Sequence, residues 1–416
     1  MIVRQKVVVC GAGPAGSSTS LFLSKLEIPH VLIDKSDFPR EKVCGDGITP
    51  VCFSILEQVI PQIKNDFAQH KAMQRIEGCR LYSNNGRYID ILAQEFVPKE
   101  KNHVYTASRK VFDDYLLEKA KQQSYCQFYD NMLVKEIINH DDYLEINAVQ
   151  HNQSIKIQTA LYIAADGDRS LARKIVYGTA INRKETVAAI RTYYRGVKPA
   201  AGNRFYEIFA LKSVLPGYLW IFPMADNTWN VGLGITSDKV QKDRINLKNV
   251  LQELVKNHPA IKDRFEGAEA VRTIEGSGLP LMLHTQPKLS TNRILLTGDA
   301  ASLADPISGE GIGPAIISGK YAALAAQEAI AQDNYSASNL EHLYDQILHT
   351  KLTSKYELKI KMAWLADKPQ YINYLVYLAS KTKWFMNFFI NSSLNKYQYK
   401  DLFNPFKWKQ IFSTPQ

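Results

Sequence analysis

The chain has 416 residues, of which 45% are hydrophobic and 22% charged, and its formal net charge is +10. This length and composition are typical of a folded globular protein and exclude a small disulfide-stabilised scaffold. The five cysteines are an odd number without a Cys-x-x-Cys pair, so we expect a reduced cytoplasmic protein without a metal site. We expect no signal peptide, and no apolar run approaches the ~20 residues that cross a bilayer.

The first predicted elements form a dinucleotide-binding unit. A buried strand is predicted over 2–9, followed by the glycine loop Gly11-Ala12-Gly13-Pro14-Ala15-Gly16, a helix over 17–26 and a strand over 30–34. The first glycine permits a tight turn, the second lets the backbone approach a pyrophosphate, and the third lets the helix pack closely. The helix N-terminus favours phosphate, and Asp34 ends the second strand where an acid binds ribose.

A second glycine-rich segment indicates which dinucleotide is bound. Gly298-Asp299 follows an apolar strand over 293–296, and Pro306 and Gly309-Glu310-Gly311-Ile312-Gly313 lead into a helix over 314–329. The chain thus returns to the nucleotide domain some 280 residues after the glycine loop. An NAD site needs no such return, whereas FAD extends beyond the first βαβ unit. Asp299 can accept hydrogen bonds from ribityl hydroxyls, and the helix N-terminus favours an anionic reduced flavin, so we predict FAD.

Four motifs in this order resemble the p-hydroxybenzoate-hydroxylase superfamily of flavoproteins over roughly residues 1–330. They are the glycine loop, Ser108-Arg109 with Phe112 and Asp113, Ala165-Asp166-Gly167 with Ser170 and Arg173, and Gly298-Asp299. The resemblance implies that Arg109 contacts FAD, that Val134 touches the adenine and that Asp299 holds the ribityl chain. Asp166 and Arg173 leave two interpretations open, the family's motif or a structural ion pair.

Two further segments resemble the geranylgeranyl reductases, FAD enzymes that saturate double bonds of isoprenoid chains. They are Cys44-Gly45-Asp46-Gly47 and Tyr218-Leu219-Trp220-Ile221-Phe222-Pro223, with Gly232-Leu233-Gly234 on the next strand. The resemblance implies that the first segment lies near the flavin ring, where Cys44 or Asp46 delivers a proton or Cys44 merely positions the ring. Tyr218, Trp220 and Phe222 share one face of a strand. With Pro223 they either line a tunnel for an apolar chain or pack a sheet core.

The predicted catalytic residues are therefore Cys44 and Asp46, and the predicted substrate-binding residues are Tyr218, Trp220, Phe222 and Pro223. The predicted cofactor-binding residues are Gly11, Gly13, Ala15, Gly16, Asp34, Cys44, Gly45, Gly47, Arg109, Val134, Asp299, Pro306, Gly309, Gly311, Ile312 and Gly313.

The C-terminal segment 351–416 carries most of the excess charge, with eleven lysines against Glu357, Asp367 and Asp401. Its aromatic residues include Trp364, Trp384, Trp408, Phe385, Phe388, Phe389, Phe403, Phe406 and Phe412. Basic residues mixed with aromatics are typical of contact with an anionic membrane or a nucleic acid. We favour peripheral contact with the inner face of the membrane over an ordinary helical subdomain with a basic face, and expect no nucleic acid.

The expected fold is α/β. A Rossmann-like FAD-binding domain is predicted from residues 1–180 and 270–330, and an inserted β-sheet substrate domain from 181–270, with a contribution from 50–100. A helical region is predicted over 331–416. This is a p-hydroxybenzoate-hydroxylase-like arrangement.

The expected activity is FAD-dependent reduction of double bonds in an isoprenoid or related apolar substrate. A monooxygenase of the same superfamily and a non-catalytic flavin or lipid carrier stay open as alternatives. Halogenases need a Trp-x-Trp-x-Ile-Pro strand, which differs from 218–223. No second glycine fingerprint is present, so the electron donor, NADPH or ferredoxin, stays open, as does the oligomeric state.

Overall fold

The computed structural model describes residues 2–95, 103–178, 182–200, 204–284, 286–363 and 367–393, together with Asn404 and Lys407. The strands within these ranges are β1 (Ile2–Cys10), β2 (His30–Ile33), β3 (Gly47–Ile48), β4 (Gln74–Arg75), β5 (Gly78–Ser83), β6 (Tyr88–Leu92), β7 (Tyr105–Thr106), β8 (Cys126–Tyr129), β9 (Met132–Asn139), β10 (Leu144–Gln150), β11 (Gln153–Ala164), β12 (Thr186–Arg195), β13 (Phe205–Ala210), β14 (Gly217–Pro223), β15 (Thr228–Thr236), β16 (Glu269–Ala270), β17 (Glu275–Pro280), β18 (Ser290–Thr291) and β19 (Ile294–Leu296).

The α-helices of the described ranges are α1 (Pro14–Lys25), α2 (Pro50–Leu56), α3 (Ile63–Gln69), α4 (Arg109–Lys121), α5 (Leu171–Tyr177), α6 (Ser237–Lys242), α7 (Leu247–Asn257), α8 (Ile312–Ala331), α9 (Ala337–Leu340), α10 (Gln346–Lys351), α11 (Glu357–Met362), α12 (Pro369–Lys381) and α13 (Lys383–Ser393).

The first sheet has a parallel core with the strand order β8-β2-β1-β11-β19. Val7, Val8 and Val9 of β1 have no exposed surface. Since consecutive strand residues point to opposite faces, both faces of this strand are buried, as in most parallel sheets. Helix α1 packs against α4 and α8. It begins three residues before the predicted start because Pro14 has no N–H to lose in a first turn.

The second sheet has the order β16-β12-β15-β14-β13-β5-β6, with β17 also paired to β12. Its strands come from three separate parts of the chain: β5 and β6 precede α4, β12 to β15 follow α5, and β16 and β17 follow α7. Leu219 and Ile221 on one face pack with Leu251 and Leu254 of α7. The opposite face lies towards the first sheet. A third, three-stranded sheet has the order β3-β7-β4. This α/β architecture confirms the predicted fold class, while the domain boundaries stay a prediction.

Helices α9 to α13 form the predicted helical C-terminal region. Val376 and Ala379 of α12 pack on Ile89 and Ile91 of β6. Trp364, Phe403, Phe406, Trp408 and Phe412, which contributed to the predicted membrane surface, lie outside the described residues, as does the side chain of Phe389. Among the helices of the described ranges, none is long and apolar enough to cross a membrane.

Candidate active site

A large cavity of about 860 Å³ lies between the first and second sheets. Most of the residues predicted from the sequence line it. Those that do not are Gly16, Asp46, Gly47, Pro223 and Gly313. The volume is towards the upper end of the ~300–1,000 Å³ that is typical of small-molecule sites.

The glycine loop forms one end of the cavity. Gly11 has a φ of +103°, and a Cβ there would lie 2.2 Å from the carbonyl oxygen of Ala165. At Gly16 a Cβ would lie 1.6 Å from the Gly11 carbonyl oxygen. Gly16 therefore allows the loop backbone and the first turn of α1 to pack closely, although it does not line the cavity. Asp34 accepts hydrogen bonds from the N–H groups of Ala12 (2.7 Å) and Ser36 (2.8 Å), which fix its carboxylate beside the loop.

Two arginines stand over the first turn of α1. Arg109 binds the buried Asp113 through Nε (2.6 Å) and Nη2 (2.8 Å), and Arg40 approaches the same carboxylate at 3.1 Å. A Cβ built on Gly13 would lie 3.2 Å from Arg40 Nη2 and 3.9 Å from Arg109 Nη2. No side chain caps α1 at Gly13. Two guanidiniums share one carboxylate here, so a net positive charge faces the uncapped helix N-terminus, as an anion site requires.

The loop 305–311 forms the central wall. Asp305 accepts hydrogen bonds from the N–H groups of Ile307 (3.0 Å) and Ser308 (2.9 Å) through Oδ1, and its Oδ2 pairs with Lys359 of α11 at 2.5 Å. Gly309, Gly311 and Ile312 line the cavity here, with Asp299 opposite Lys42 at 3.8 Å.

The N-terminus of α8 was predicted to favour an anionic reduced flavin, but one of its N–H groups has a partner within the protein. The carboxylate of Glu310 accepts a hydrogen bond from the N–H of Gly313 at 2.6 Å. Burial raises the pKa of Glu310 to about 7, and the nearby Asp305 adds to this effect. One of the first-turn N–H groups of α8 is therefore already bonded within the protein, and Gly313 stays away from the cavity.

Of the two predicted catalytic residues, Cys44 faces the cavity, whereas Asp46 is buried behind the residues that line it. Cys44 lines the cavity, and burial raises the pKa of its thiol although Arg109 opposes the shift. Asp46 has no exposed surface. Its Oδ2 accepts hydrogen bonds from Tyr193 Oη (2.5 Å) and Asn230 Nδ2 (2.7 Å). Burial raises the pKa of Asp46 to about 6 despite these two donors.

Three aromatic rings of β14 form the wall opposite the glycine loop. Tyr218, Trp220 and Phe222 all line the cavity, and the hydroxyl of Tyr218 donates to the Ser308 carbonyl. Trp220 lies directly opposite Gly232 of β15, where a Cβ would lie 2.3 Å from the indole ring. Glycine at this position lets the ring lie flat over the neighbouring strand.

The lining also includes aliphatic side chains of β12, of β17 and of the segment that follows β17. We use the name apolar arm for the part of the cavity lined by Val187, Ala189, Leu279, Leu281 and Leu283. Ile307, 47% exposed, stands at its edge, and Ala363 after α11 also lines the cavity. The cavity lining thus includes both cationic side chains, such as Arg40 and Arg109, and aliphatic ones.

Several residues of the site were not predicted. Arg40 and Lys42 precede Cys44 in the sequence, and their alternation with acidic Glu41 was an available signal. Tyr193 and Asn230 were missed altogether. The only sequence signal for Asn230 is an amide inside the apolar strand 228–236, where it is fully buried.

The ion pair between Asp166 and Arg173 is not formed in the described structure. Arg173 donates instead from Nη1 to the Ala300 carbonyl at 2.9 Å and stacks on Tyr177. Asp166 lines the cavity, and burial raises its pKa to about 6. Asp166 thus lies at the cavity and Arg173 does not line it, and the motif interpretation of the two residues stays a prediction.

The glycine loop, the uncapped N-terminus of α1 and the cavity beside them define a dinucleotide-binding protein. Residues 4–325 match the family model described as FAD binding domain. The chain belongs to this family, and it is an FAD-dependent oxidoreductase, which confirms the predicted cofactor and enzyme class.

The chain is 28% identical to digeranylgeranylglycerophospholipid reductase of Picrophilus torridus over 375 residues, which cover 88% of this chain and 90% of the relative. A solved geranylgeranyl bacteriochlorophyll reductase-like protein of Thermoplasma acidophilum superposes with a TM-score of 0.81 at 22% identity, over 92% of this chain and 93% of its own. A myxobacterial chondrochloren halogenase superposes with a TM-score of 0.67 at 18% identity, over 82% and 78% of the two chains. The two structural likenesses show the shared fold, and the first relative agrees with the predicted geranylgeranyl reductase resemblance.

Proposed function

We propose that this oxidoreductase reduces carbon–carbon double bonds in the isoprenoid chain of an apolar lipid. The apolar arm is the observation that carries the proposal, because it opens from the same cavity as the glycine loop and is lined by aliphatic side chains. A hydrocarbon chain has no hydrogen-bonding groups, so it suits walls of this kind. The name of the Picrophilus torridus relative supports the same substrate class.

The proposal assigns the lining residues to parts of FAD. Gly11, Gly13 and the first turn of α1 would take the pyrophosphate, with Arg109 and Arg40 balancing its charge. Two observations fit this assignment: α1 lacks a side-chain cap, and both guanidiniums lie within 4 Å of a Cβ built on Gly13.

The remaining FAD contacts follow the order of residues along the cavity. Asp34 would accept a ribose hydroxyl, Val134 would lie against the adenine and Asp299 would accept the ribityl hydroxyls. Loop residues 309–312 and Gly45 would flank the ring. Bound FAD, once reduced by NADPH or ferredoxin, supplies the two electrons for the reduction.

Saturating one double bond consumes two electrons and two protons. Bound reduced FAD would supply both electrons and one of the protons, so the protein itself must supply the other. An isolated alkene is a poor acceptor, so alignment in the apolar arm and protonation must lower much of the barrier. Cys44 faces the cavity as a neutral thiol, whereas Asp46 lies behind the wall, where burial raises its pKa to about 6. We assign the proton to Asp46, since a catalytic acid works best with a pKa near ambient pH. Because Asp46 does not line the cavity, its proton would reach the alkene through water.

We also propose that the protein is cytoplasmic and works at an anionic membrane surface, where isoprenoid lipids reside. The supporting surface is the outer face of α12 and α13, which we call the tyrosine face: it exposes Tyr371, Tyr374, Tyr377 and Trp384 together with Lys381 and Lys383. Residues 368–393 contain no acidic side chain. Aromatic rings with lysines are typical of helices that lie in a membrane interface.

Strand register supports a position of these helices beside the cavity. Trp220 lies opposite Ile208, Ile208 opposite Leu81, and Leu81 opposite Ile89. Residues directly opposite one another point to the same face of a sheet. Because Ile89 packs on α12, the C-terminal helices cover the continuation of the face that carries the aromatic wall.

Mass spectrometry of polyprenyl lipids tests the proposed activity. The protein with bound FAD is reduced by dithionite without oxygen and incubated with lipids that carry unsaturated isoprenoid chains. We expect a mass gain of two hydrogens for each reduced bond, abolished when Ala189→Phe fills the apolar arm while the flavin absorbance is kept. Oxygen-dependent gain of one oxygen atom would instead identify a monooxygenase, and an unchanged lipid would refute both activities.

A further inference from the structure

We propose that Asn230 and Tyr193 are positioning residues that together hold the Asp46 carboxyl behind the cavity wall as the proton source of the reduction. This inference rests on the proposed function. Neither residue belongs to a recognised motif, and neither lines the cavity. They act through Asp46 and through the loop that carries Cys44.

Asn230 joins the two walls of the cavity with one side chain. Its Nδ2 donates to the Cys44 carbonyl (2.8 Å) and to Asp46 Oδ2 (2.7 Å), and its Oδ1 accepts from Trp220 Nε1 (2.8 Å). The amide orientation is fixed by its partners, because an indole N–H only donates and a carbonyl only accepts. Three residues from two separate predicted motifs therefore meet at one buried amide.

Tyr193 supplies the second donor to Asp46. It lies directly opposite Asn230 in the β12–β15 pair, so both side chains point to the same face. Its hydroxyl donates to Asp46 Oδ2 at 2.5 Å. Burial and the Asp46 charge raise the pKa of Tyr193, which keeps the hydroxyl protonated and makes it a donor.

A charged frame holds the Tyr193 ring in place. The guanidinium carbons of Arg191 and Arg272 lie 4.6 and 5.1 Å from the ring centroid. Glu41 pairs with Arg191 at 3.3 Å and with Arg272 at 2.5 Å, and Arg191 also pairs with Glu275 at 2.9 Å. Glu41 and Arg272 reach solvent, so the frame extends from the surface to the buried carboxyl.

The groups that face Asp46 set its proton affinity in opposite directions. Burial raises its pKa, whereas Tyr193, Asn230, Arg191 and Arg109 lower it, in that order of effect. The thiol of Cys44 is a further titratable neighbour. Oδ1 of Asp46 is buried and has no hydrogen-bond partner among the described residues. With both donors on Oδ2, the proton can reside on Oδ1.

Titration of Asp46 by carbon NMR tests the proposal without relying on turnover. The full-length protein with bound FAD is labelled at the aspartate carboxyls, and D46N identifies the signal. We expect Y193F to raise the apparent pKa of Asp46 by about one unit, because a donor to the carboxylate is lost. N230D should raise it further by placing a like charge beside Asp46 while keeping an acceptor for Trp220.

Tyr194→Phe is the matched control, since Tyr194 is the next residue of β12 and packs on Phe265 at the other face. It should leave the titration unchanged. The pH profile of alkene reduction should move with the Asp46 titration, at constant KM for the lipid. An unshifted titration in both Y193F and N230D would overturn the inference even if the enzyme reduces alkenes, whereas a shifted titration without any alkene reduction would overturn only the proposed function.

Discussion

Asp46 is an aspartate whose burial opposes its charge more strongly than its hydrogen-bond donors and the nearby arginines support it. Burial raises its pKa from 3.8 to about 6, so the unfolded chain releases the proton more readily than the folded one. The stability that Asp46 contributes is therefore complete below about pH 4 and is lost as the pH rises through about 6. The same group that would give up a proton in catalysis makes the fold weaker at alkaline pH.

Replacement of Asp46 by Asn should remove this pH dependence. Between pH 4.5 and pH 8 the unfolding free energy of D46N relative to the native chain should rise by about 2 kcal/mol, as follows from the difference between the two pKa values. Urea unfolding at both pH values measures it. A constant difference between the two proteins would show that Asp46 is not the buried titrating group. Alkene reduction should fall by about 10²–10⁴-fold in D46N.

The glycine loop gives a second prediction at this scale. Gly16→Ala should prevent the loop from forming, because the added Cβ would lie 1.6 Å from a backbone oxygen, and FAD should be lost from the purified protein. Gly13→Ala should fold, because the nearest atom, at 3.2 Å, belongs to the flexible Arg40 side chain. Its effect should be limited to weaker FAD binding. Flavin content and circular dichroism separate the two results, and equal effects would contradict the distinction.

At the scale of elements, α11 holds the loop that forms the central wall. Lys359 and Asp305 are both buried and lie 2.5 Å apart. Asp305 in turn orders the loop through two backbone N–H groups. The C-terminal helices are thus joined to the cofactor compartment by an ion pair as well as by apolar packing.

Lys359→Met should break this connection. It leaves the Asp305 carboxylate buried without its charge partner, which costs about 3–5 kcal/mol in comparable sites, and it should weaken FAD binding through the loop. Lys361→Met is the control, because Lys361 pairs with Glu357 at the surface, where a salt bridge contributes about 0–1 kcal/mol. Thermal unfolding and flavin titration of both variants measure the effects. A Lys359→Met protein as stable as Lys361→Met would refute the role of the pair.

The sequence predicted the elements whose signals are local. The glycine loop and the small-residue run after Gly313 located α1 and α8 to within three residues at each end. The aromatic alternation located β14. The second sheet could be predicted only in outline, because the parallel pairing of β5 with β13 joins residues more than 120 positions apart. No local signal determines such a pairing.

The same reason explains which site residues were missed. The position of Asn230 next to Asp46 depends on how β15 aligns with β12 and β14, and on where the loop after β2 crosses their ends. Conversely, Gly313 fits the predicted motif, but its N–H is bonded to the neighbouring Glu310. A motif specifies residue types and spacing. Whether a backbone N–H binds a cofactor or a neighbouring side chain depends on the three-dimensional structure, which the motif does not specify.

At the scale of the whole molecule, one sheet face is shared by the aromatic wall and the C-terminal helices. This arrangement would bring the apolar arm close to the lipid on which the tyrosine face rests. Two interactions would contribute to membrane affinity: the apolar contact of the aromatic rings and the attraction of the lysines to anionic headgroups.

Vesicle co-sedimentation measures both interactions. With vesicles of phosphatidylcholine and phosphatidylglycerol, which carry no isoprenoid chain, Lys381→Gln with Lys383→Gln should weaken binding roughly thirtyfold, at about 1 kcal/mol per lysine. High salt should have the same effect. Tyr371→Ser with Tyr374→Ser should weaken binding at any salt concentration. Tyr125→Ser, an exposed tyrosine on the nucleotide side, is the control and should bind as the native chain does. Equal binding to neutral and anionic vesicles would refute the electrostatic contribution.

The cavity is assembled from residues that span almost the entire chain, from Cys10 to Ala363. During synthesis on a ribosome the glycine loop emerges early, whereas Asp299, the loop 305–311 and α11 emerge only after most of the chain. A nascent chain of 290 residues carries most of the residues that line the cavity, but it lacks Asp299, the loop 305–311 and β19, the strand that completes the parallel core. We therefore expect stable flavin binding only after these late segments have emerged.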